Sequence, residues 1–109
     1  MTSEDFKRKK KELFQNLKSS EELDEALEKQ IIDLYGDRGK RAIKVVNNDG
    51  VWKEEDRWFV QGREEKYEVV RSHCSCYDYV LNITTGKTDV DMCYHALAKN
   101  IKELLDSKQ

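Results

Sequence analysis

Apolar residues in the first third of the chain recur with the period of a helix. Phe6, Leu13, Phe14 and Leu17 fall on one face, interrupted by Lys10. Thr2-Ser3-Glu4-Asp5 has the composition of a capping box that opens this helix. Ser19-Ser20-Glu21-Glu22 repeats the signal, with Ser19 as cap and Glu22 reaching back. Leu23, Leu27, Ile31 and Leu34 then line one side of a second helix, which Gly36 and Gly39 end. The pattern predicts a helical hairpin over residues 1–36.

Beyond it the pattern turns strand-like. Ala42 to Val46 (AIKVV) is rich in β-branched residues, and Asn47-Asn48-Asp49-Gly50 supplies residues that tolerate the positive φ of a hairpin turn. Trp58-Phe59-Val60 reads as a further strand. Gly62 with Arg63 and Glu64 marks a second turn, and Tyr67 to Arg71 (YEVVR) the strand that leads into Cys74. The helical period returns near Cys93, and Tyr94, Leu97, Ala98, Ile101, Leu104 and Leu105 give a helix from about Cys93 to Leu105 a continuous apolar face. The expected fold class is α+β: an N-terminal helical hairpin, a small antiparallel β-sheet, a metal site and a C-terminal helix. Residues 37–109 would form the sheet and metal-site unit.

Composition narrows the picture. The chain has 109 residues, one domain's worth, with 38% hydrophobic and 39% charged. The core is therefore thin, and an extra source of stability is expected. A net charge of −2 removes any argument from overall basicity. No apolar run is long enough for a membrane span, and MTSEDFKRKKKELF lacks the apolar centre of a secretory signal. With three cysteines, an odd number, the expectation is reduced thiols in an intracellular protein.

All three cysteines and one of the two histidines fall into two tight pairs, Cys74/Cys76 and Cys93/His95, separated by sixteen residues. Three thiolates and an imidazole complete a tetrahedral set for Zn²⁺. At a strand end, residues i and i+2 point to the same side, so Cys74 and Cys76 can face one ion. Cys93 and His95 cannot both be ligands from mid-helix, where i and i+2 diverge. One of them must lie at the cap or in the first turn, with Asp89 or Asp91 as a sensible cap residue. The intervening chain would run outward over Tyr77 to Ile83, turn at Thr85-Gly86-Lys87 and return. Three alternatives stay open. Buried cysteines without a metal are common for free thiols. An iron–sulfur cluster can take three Cys and one His, though at tighter spacing. A catalytic zinc needs an open position that four ligands would close. His73, directly before Cys74, is a possible substitute ligand but points the other way on a strand, so it reads as exposed or as a neighbour of the ligands.

Two basic segments accompany these ligands. Lys7 to Lys11 (KRKKK) reads as a solvated helix start, with a phosphate-contacting arm as the functional alternative. Arg38, Lys40, Arg41 and Lys44 lie near Trp52 and Trp58 in sequence, an interleaving that can serve single-stranded bases. Glu54, Glu55, Asp56, Glu64 and Glu65 oppose that use, and the tryptophans read first as core. No glycine-rich phosphate loop, nucleophile elbow or spaced acid–base pair is present, so no enzyme activity is expected.

The Cys-x-Cys…Cys-x-His order over residues 74–98 resembles the SWIM-type zinc finger. Together with Tyr35-Gly36-Asp37-Arg38-Gly39-Lys40-Arg41-Ala42, Cys-Ser-Cys-Tyr-Asp-Tyr and Cys-Tyr-His-x-Leu-Ala, it looks like the small stand-alone SWIM proteins of archaea. Those are similar to the SWIM subunit of the eukaryotic Shu complex, which partners RecA-family recombinase paralogues in homologous recombination. The resemblance implies one structural Zn²⁺ on Cys74, Cys76, Cys93 and His95. It also implies a role as adaptor in DNA repair, with a RecA-family recombinase paralogue as partner. DNA would be contacted weakly or through that partner, with Arg38, Lys40, Arg41 and Lys44 as candidate contacts and a homo-oligomer as a further association. A stand-alone DNA-binding regulator is the alternative.

Overall fold

Ser3 opens the first helix by accepting a hydrogen bond from the Phe6 backbone N–H at 3.0 Å, which satisfies a donor that the helix end leaves unpaired. The computed structural model describes residues 3–88 and 90–107, so Thr2 and Asp89 lie outside the described residues. Helix α1 runs Glu4–Ser19 and buries Phe6, Leu13 and Leu17, with Phe14 packed beside them. Helix α2 is Glu25–Tyr35 and buries Leu27, Ile31 and Tyr35. Its start corrects the sequence reading. Ser20 ends α1, and its hydroxyl donates to the Glu22 carbonyl, whereas the Asp24 carboxylate caps α2 by accepting from Leu27 N–H at 2.9 Å. Leu17 must stay helical to reach the core, which carries α1 through Ser19 and leaves the cap to the next acceptor down the chain.

Gly36 takes φ 65° and ψ −133°, a backbone conformation that a side chain would strain. It ends α2 and opens a third helix, α3, Asp37–Asn47. A strand was expected over Ala42–Val46, and Gly39 was expected to end the second helix; both expectations fail here. Gly39, Ala42, Ile43 and Val46 fall at i, i+3, i+4 and i+7, a helical stripe. Gly39, Ala42 and Ile43 are buried, and Val46 packs against the core. Gly39 lies so close to α2 that a Cβ there would sit 2.9 Å from the Ile31 carbonyl oxygen. Packing of this face against α2 and the C-terminal helix outweighs the β-branched preference of the segment.

The sheet is a four-stranded antiparallel meander in chain order: β1 Val51–Glu54, β2 Arg57–Gln61, β3 Lys66–Val70 and β4 His73–Cys74. The Asn47–Gly50 signal is a real turn, but it joins α3 to β1, so the strand follows it rather than preceding it. Glu55 and Asp56, both at positive φ (48° and 70°), make the two-residue β1–β2 turn. Pairing sets Val51 opposite Val60 and Val60 opposite Tyr67, while Val69 faces both Trp58 and Cys74. Val51, Val60, Val69 and Cys74 are buried, and the intervening Trp52 and Phe59 stack on each other at 6.1 Å. Trp58 packs against the core, as expected, whereas Trp52 lies outside it, its indole N–H donating to the Glu54 carboxylate at 3.1 Å.

Helix α4, Tyr94–Asp106, matches the sequence reading within a residue at each end. It lies against α1, α3 and the sheet, and its fully buried Leu97 and Ile101 join one core with Phe6, Leu13, Leu17, Ile31 and Val60. The N-terminal hairpin thus shares its interior with the sheet. The chain between β4 and α4 coils through a wide helical turn, Tyr79–Ile83, closed by Thr84 N–H donating to the Tyr79 carbonyl at 3.0 Å, and reverses at Gly86 (φ 73°). Among the described residues, no helix is long and apolar enough to cross a membrane.

Candidate metal centre

Three elements converge on one point. β4 delivers Cys74, the following bend delivers Cys76, and the start of α4 delivers Cys93 and His95. The ligand atoms of these four residues all lie within 4.8 Å of one another, and all four residues are buried. The i and i+2 spacing works at the helix start as expected, whereas β4 ends at Cys74 and a bend, not strand alternation, brings Cys76 round. Cys93 is itself the cap of α4, with extended backbone (φ −76°, ψ 172°) and its Sγ accepting from Ala96 N–H at 3.4 Å. His95 then falls in the first turn. Asp91 is not the cap: its carboxylate accepts from the Tyr35 hydroxyl at 2.9 Å and pairs with Lys10. A ligand already in extended conformation left no place for an upstream carboxylate.

Among the described residues, neither buried ring nitrogen of His95 has a hydrogen-bond partner. Such orphaned polar atoms are costly, and a native structure needs a reason for them. A metal ion would account for one of the two, since it takes a single ring nitrogen as ligand. The sulfurs are prepared as well: besides Ala96 on Cys93, Tyr79 N–H donates to the Cys76 Sγ at 3.4 Å. Without an ion, the thiols share protons among themselves. Hydrogen bonds from Cys74 and Cys93 hold Cys76 far below the usual thiol range. The Cys74 thiol is pushed up to about 11, chiefly by its hydrogen bond to Cys76, and Cys93 is pushed up by its bonds to Cys74 and Cys76 and by burial. One thiolate held by two S–H donors leaves a place where a cation can replace two protons. The S₃N donor set fits a metal ion. His73 is exposed and meets Tyr79 edge-on at 4.9 Å, outside the cluster.

The basic residues of α3 part company. Arg38 makes a two-pronged ion pair with Asp78, Nε to Oδ2 at 2.8 Å and Nη2 to Oδ1 at 2.7 Å. Asp78 also accepts from the Asn82 amide at 2.8 Å. The pair holds the Asp78 carboxyl below its ordinary range and raises the guanidinium, to which the charges of Cys93 and Cys76 add. Lys40, Arg41 and Lys44 are exposed. Arg41 lies 6.0 Å from the Tyr94 ring centre, and with Lys44 it lines a cleft of about 570 Å³ whose wall includes Cys76 and His95. Arg63, Tyr67, Tyr77 and Tyr94 line the same cleft. Sequence reasoning placed Arg63 in a turn and did not connect it with α3.

A second feature escaped the sequence reading. Lys99 of α4 is buried, and its ammonium donates to the Arg71 carbonyl at 3.2 Å and to Glu103 at 2.9 Å. The Asn100 amide donates to the same carbonyl at 3.2 Å. Arg71 sits at φ 58° in the turn that feeds Cys74, so α4 grips that turn as well as supplying two of the four clustered donors. By helical period Lys99 falls on the side of α4 opposite Leu97, Ile101 and Leu104, so the sequence carried no signal for it. No protein-family model, curated protein or solved structure matches this chain.

Proposed function

We propose that the chain is a zinc-binding adaptor of the SWIM type, active inside the cell in recombinational DNA repair. The ion is one Zn²⁺ on Cys74, Cys76, Cys93 and His95, and its role is structural: three thiolates and one imidazole suit zinc and close its tetrahedron. The observation that carries the reading is the buried donor set, in which neither His95 nitrogen has a hydrogen-bond partner among the described residues. The ion pins β4 and the bend after it to the start of α4. It thereby holds out the insert, on which Tyr77 is 81% exposed, Val80 51% and Leu81 43%. Exposed apolar groups clustered on one short segment suit protein contact, and the partner is a RecA-family recombinase paralogue. DNA is held weakly by the chain alone and better by the pair, with Lys40, Arg41 and Lys44 contributing. Arg38, committed to Asp78, acts through the metal centre rather than on DNA.

Elemental analysis of purified protein tests the ion: one zinc per chain is expected, and an iron chromophore would refute it. Titration of single- and double-stranded DNA with and without a recombinase paralogue tests the role. The second reading, a stand-alone DNA-binding regulator, rests on the cleft where Arg41, Lys44 and Arg63 meet three tyrosines, with Glu64, Glu65 and Asp78 lining it as well. Tight, sequence-specific binding by the chain alone would establish it instead.

A further inference from the structure

The basic run at Lys7–Lys11 is not one uniform charged surface. On one side of α1, Arg8 and Lys9 are both tied to Asp5, and Lys9 shares that side with Glu12 and Asp33. On the other side, Lys7, Lys11 and Lys18 line a groove of about 510 Å³ together with Phe14 and with Leu104 of α4. Phe14 and Leu104 are half-buried and the three lysines exposed, so the apolar groups form the floor and the ammonium groups the rim. Among the described residues, Lys11 and Lys18 have no carboxylate partner, and Lys7 has only Glu4 at 3.6 Å, an exposed contact of little worth. Asp91 also lines the groove, but Lys10 and the Tyr35 hydroxyl already hold its carboxylate.

We propose that this groove docks an acidic amphipathic segment of a partner protein. Its carboxylates pair with Lys7, Lys11 and Lys18, and an apolar side chain covers Phe14 and Leu104. The steps from Lys7 to Lys11, Phe14 and Lys18 are four, three and four residues, so all four side chains share one helix face over about 16 Å. That length suits two to three turns of a second helix lying alongside. The lysine rim without compensating acids selects a partner of opposite sign. The apolar floor then separates a peptide from a nucleic acid. Phosphates would satisfy the lysines but leave Phe14 and Leu104 wet, and the Lys10 ammonium lies over the Phe14 ring at 5.2 Å, where a base would have to stack. The inference does not depend on which metal the cysteines hold.

The test is fluorescence anisotropy of a labelled peptide with glutamates at helical spacing around a central leucine, titrated with the full chain at low and at high salt. The comparison probes are the same peptide with glutamine for glutamate, an oligothymidylate and phosphatidylserine vesicles. The acidic peptide is expected to bind, and to weaken by about tenfold or more with glutamine, with high salt, or with the double substitution Lys7→Glu and Lys11→Glu. Arg8→Glu with Lys9→Glu makes the same change of charge at two α1 positions that do not line the groove and is expected to leave binding in place. Circular dichroism checks that both variants fold, and Lys7→Gln with Lys11→Gln repeats the loss without introducing new charge. Equal loss in the two charge-reversed proteins, tighter binding of the oligothymidylate or the vesicles, or no peptide binding would each overturn the proposal.

Discussion

Arg38 and Asp78 lie forty residues apart in the chain and meet through two parallel hydrogen bonds of 2.8 and 2.7 Å. The pair joins the first turn of α3 to the insert just beyond Cys76, with each side chain less than a third exposed. It fixes the backbone that carries one ligand, and it sets a permanent positive charge near sulfurs that carry negative charge when a metal is bound.

Arg38→Ala is therefore expected to weaken metal binding by about 10–100-fold, the usual cost of losing a partner that orients a ligand. Arg38→Lys should recover little, since an ammonium cannot make the two-pronged contact. Competition with a chromogenic chelator measures both, and Asp78→Asn in the Arg38→Ala background should add much less than it does alone.

Cys93→Ala removes a ligand and the cap of α4 together. Structural zinc contributes an apparent ~10–16 kcal/mol in small peptides, against ~5–15 kcal/mol for the stability of a whole domain. The variant is expected to lose the ion and to unfold the sheet and α4, read by elemental analysis and thermal unfolding. His73→Ala should keep both the metal and the melting temperature, because His73 stands outside the cluster. Equal metal loss in the two variants would displace the ligand assignment.

Metal binding should release protons and weaken in acid. In the metal-free cluster the Cys74 thiol is pushed up to about 11 and Cys93 is also raised, while Cys76 is held low. Near neutral pH two of the three thiols are therefore protonated. Those protons compete with the ion, and raising the pH removes the competition. Apparent affinity is expected to rise by about two decades per pH unit there, with about two protons released per ion in weakly buffered solution.

Lys99→Met keeps the length of the buried side chain and removes its bond to the Arg71 carbonyl. A loss of about 1.5–3 kcal/mol is expected, the contribution of a hydrogen bond made by a charged donor. It would appear in urea unfolding as a lower midpoint at unchanged slope. Asn100→Ala should be more than additive with it, because each single variant leaves the shared acceptor one donor and the double variant removes both.

Features that depend on a few neighbouring residues could be read from the sequence alone. The two ligand pairs, the cap-or-first-turn position of Cys93 and His95, the span of α4 and the strands around Trp58 and Tyr67 all follow from local spacing, and each stands where it was expected. Glycine at 36 marked a helix end because its backbone conformation is a local property. What needed the tertiary structure was every choice between two locally acceptable outcomes. Residues 42–46 can form a strand or a helix by preference; they are helical because Gly39, Ala42 and Ile43 find α2 and α4 to pack against. Ser19 and Asp24 are both acceptable caps, and the demand that Leu17 reach the core selects Asp24. Arg38 looked like its neighbours Lys40, Arg41 and Lys44 until the fold brought Asp78 to it, and nothing near Lys99 in sequence announces the Arg71 carbonyl. Long-range pairs of this kind form only once the chain has closed on itself, so their energies are not written in any short stretch of it.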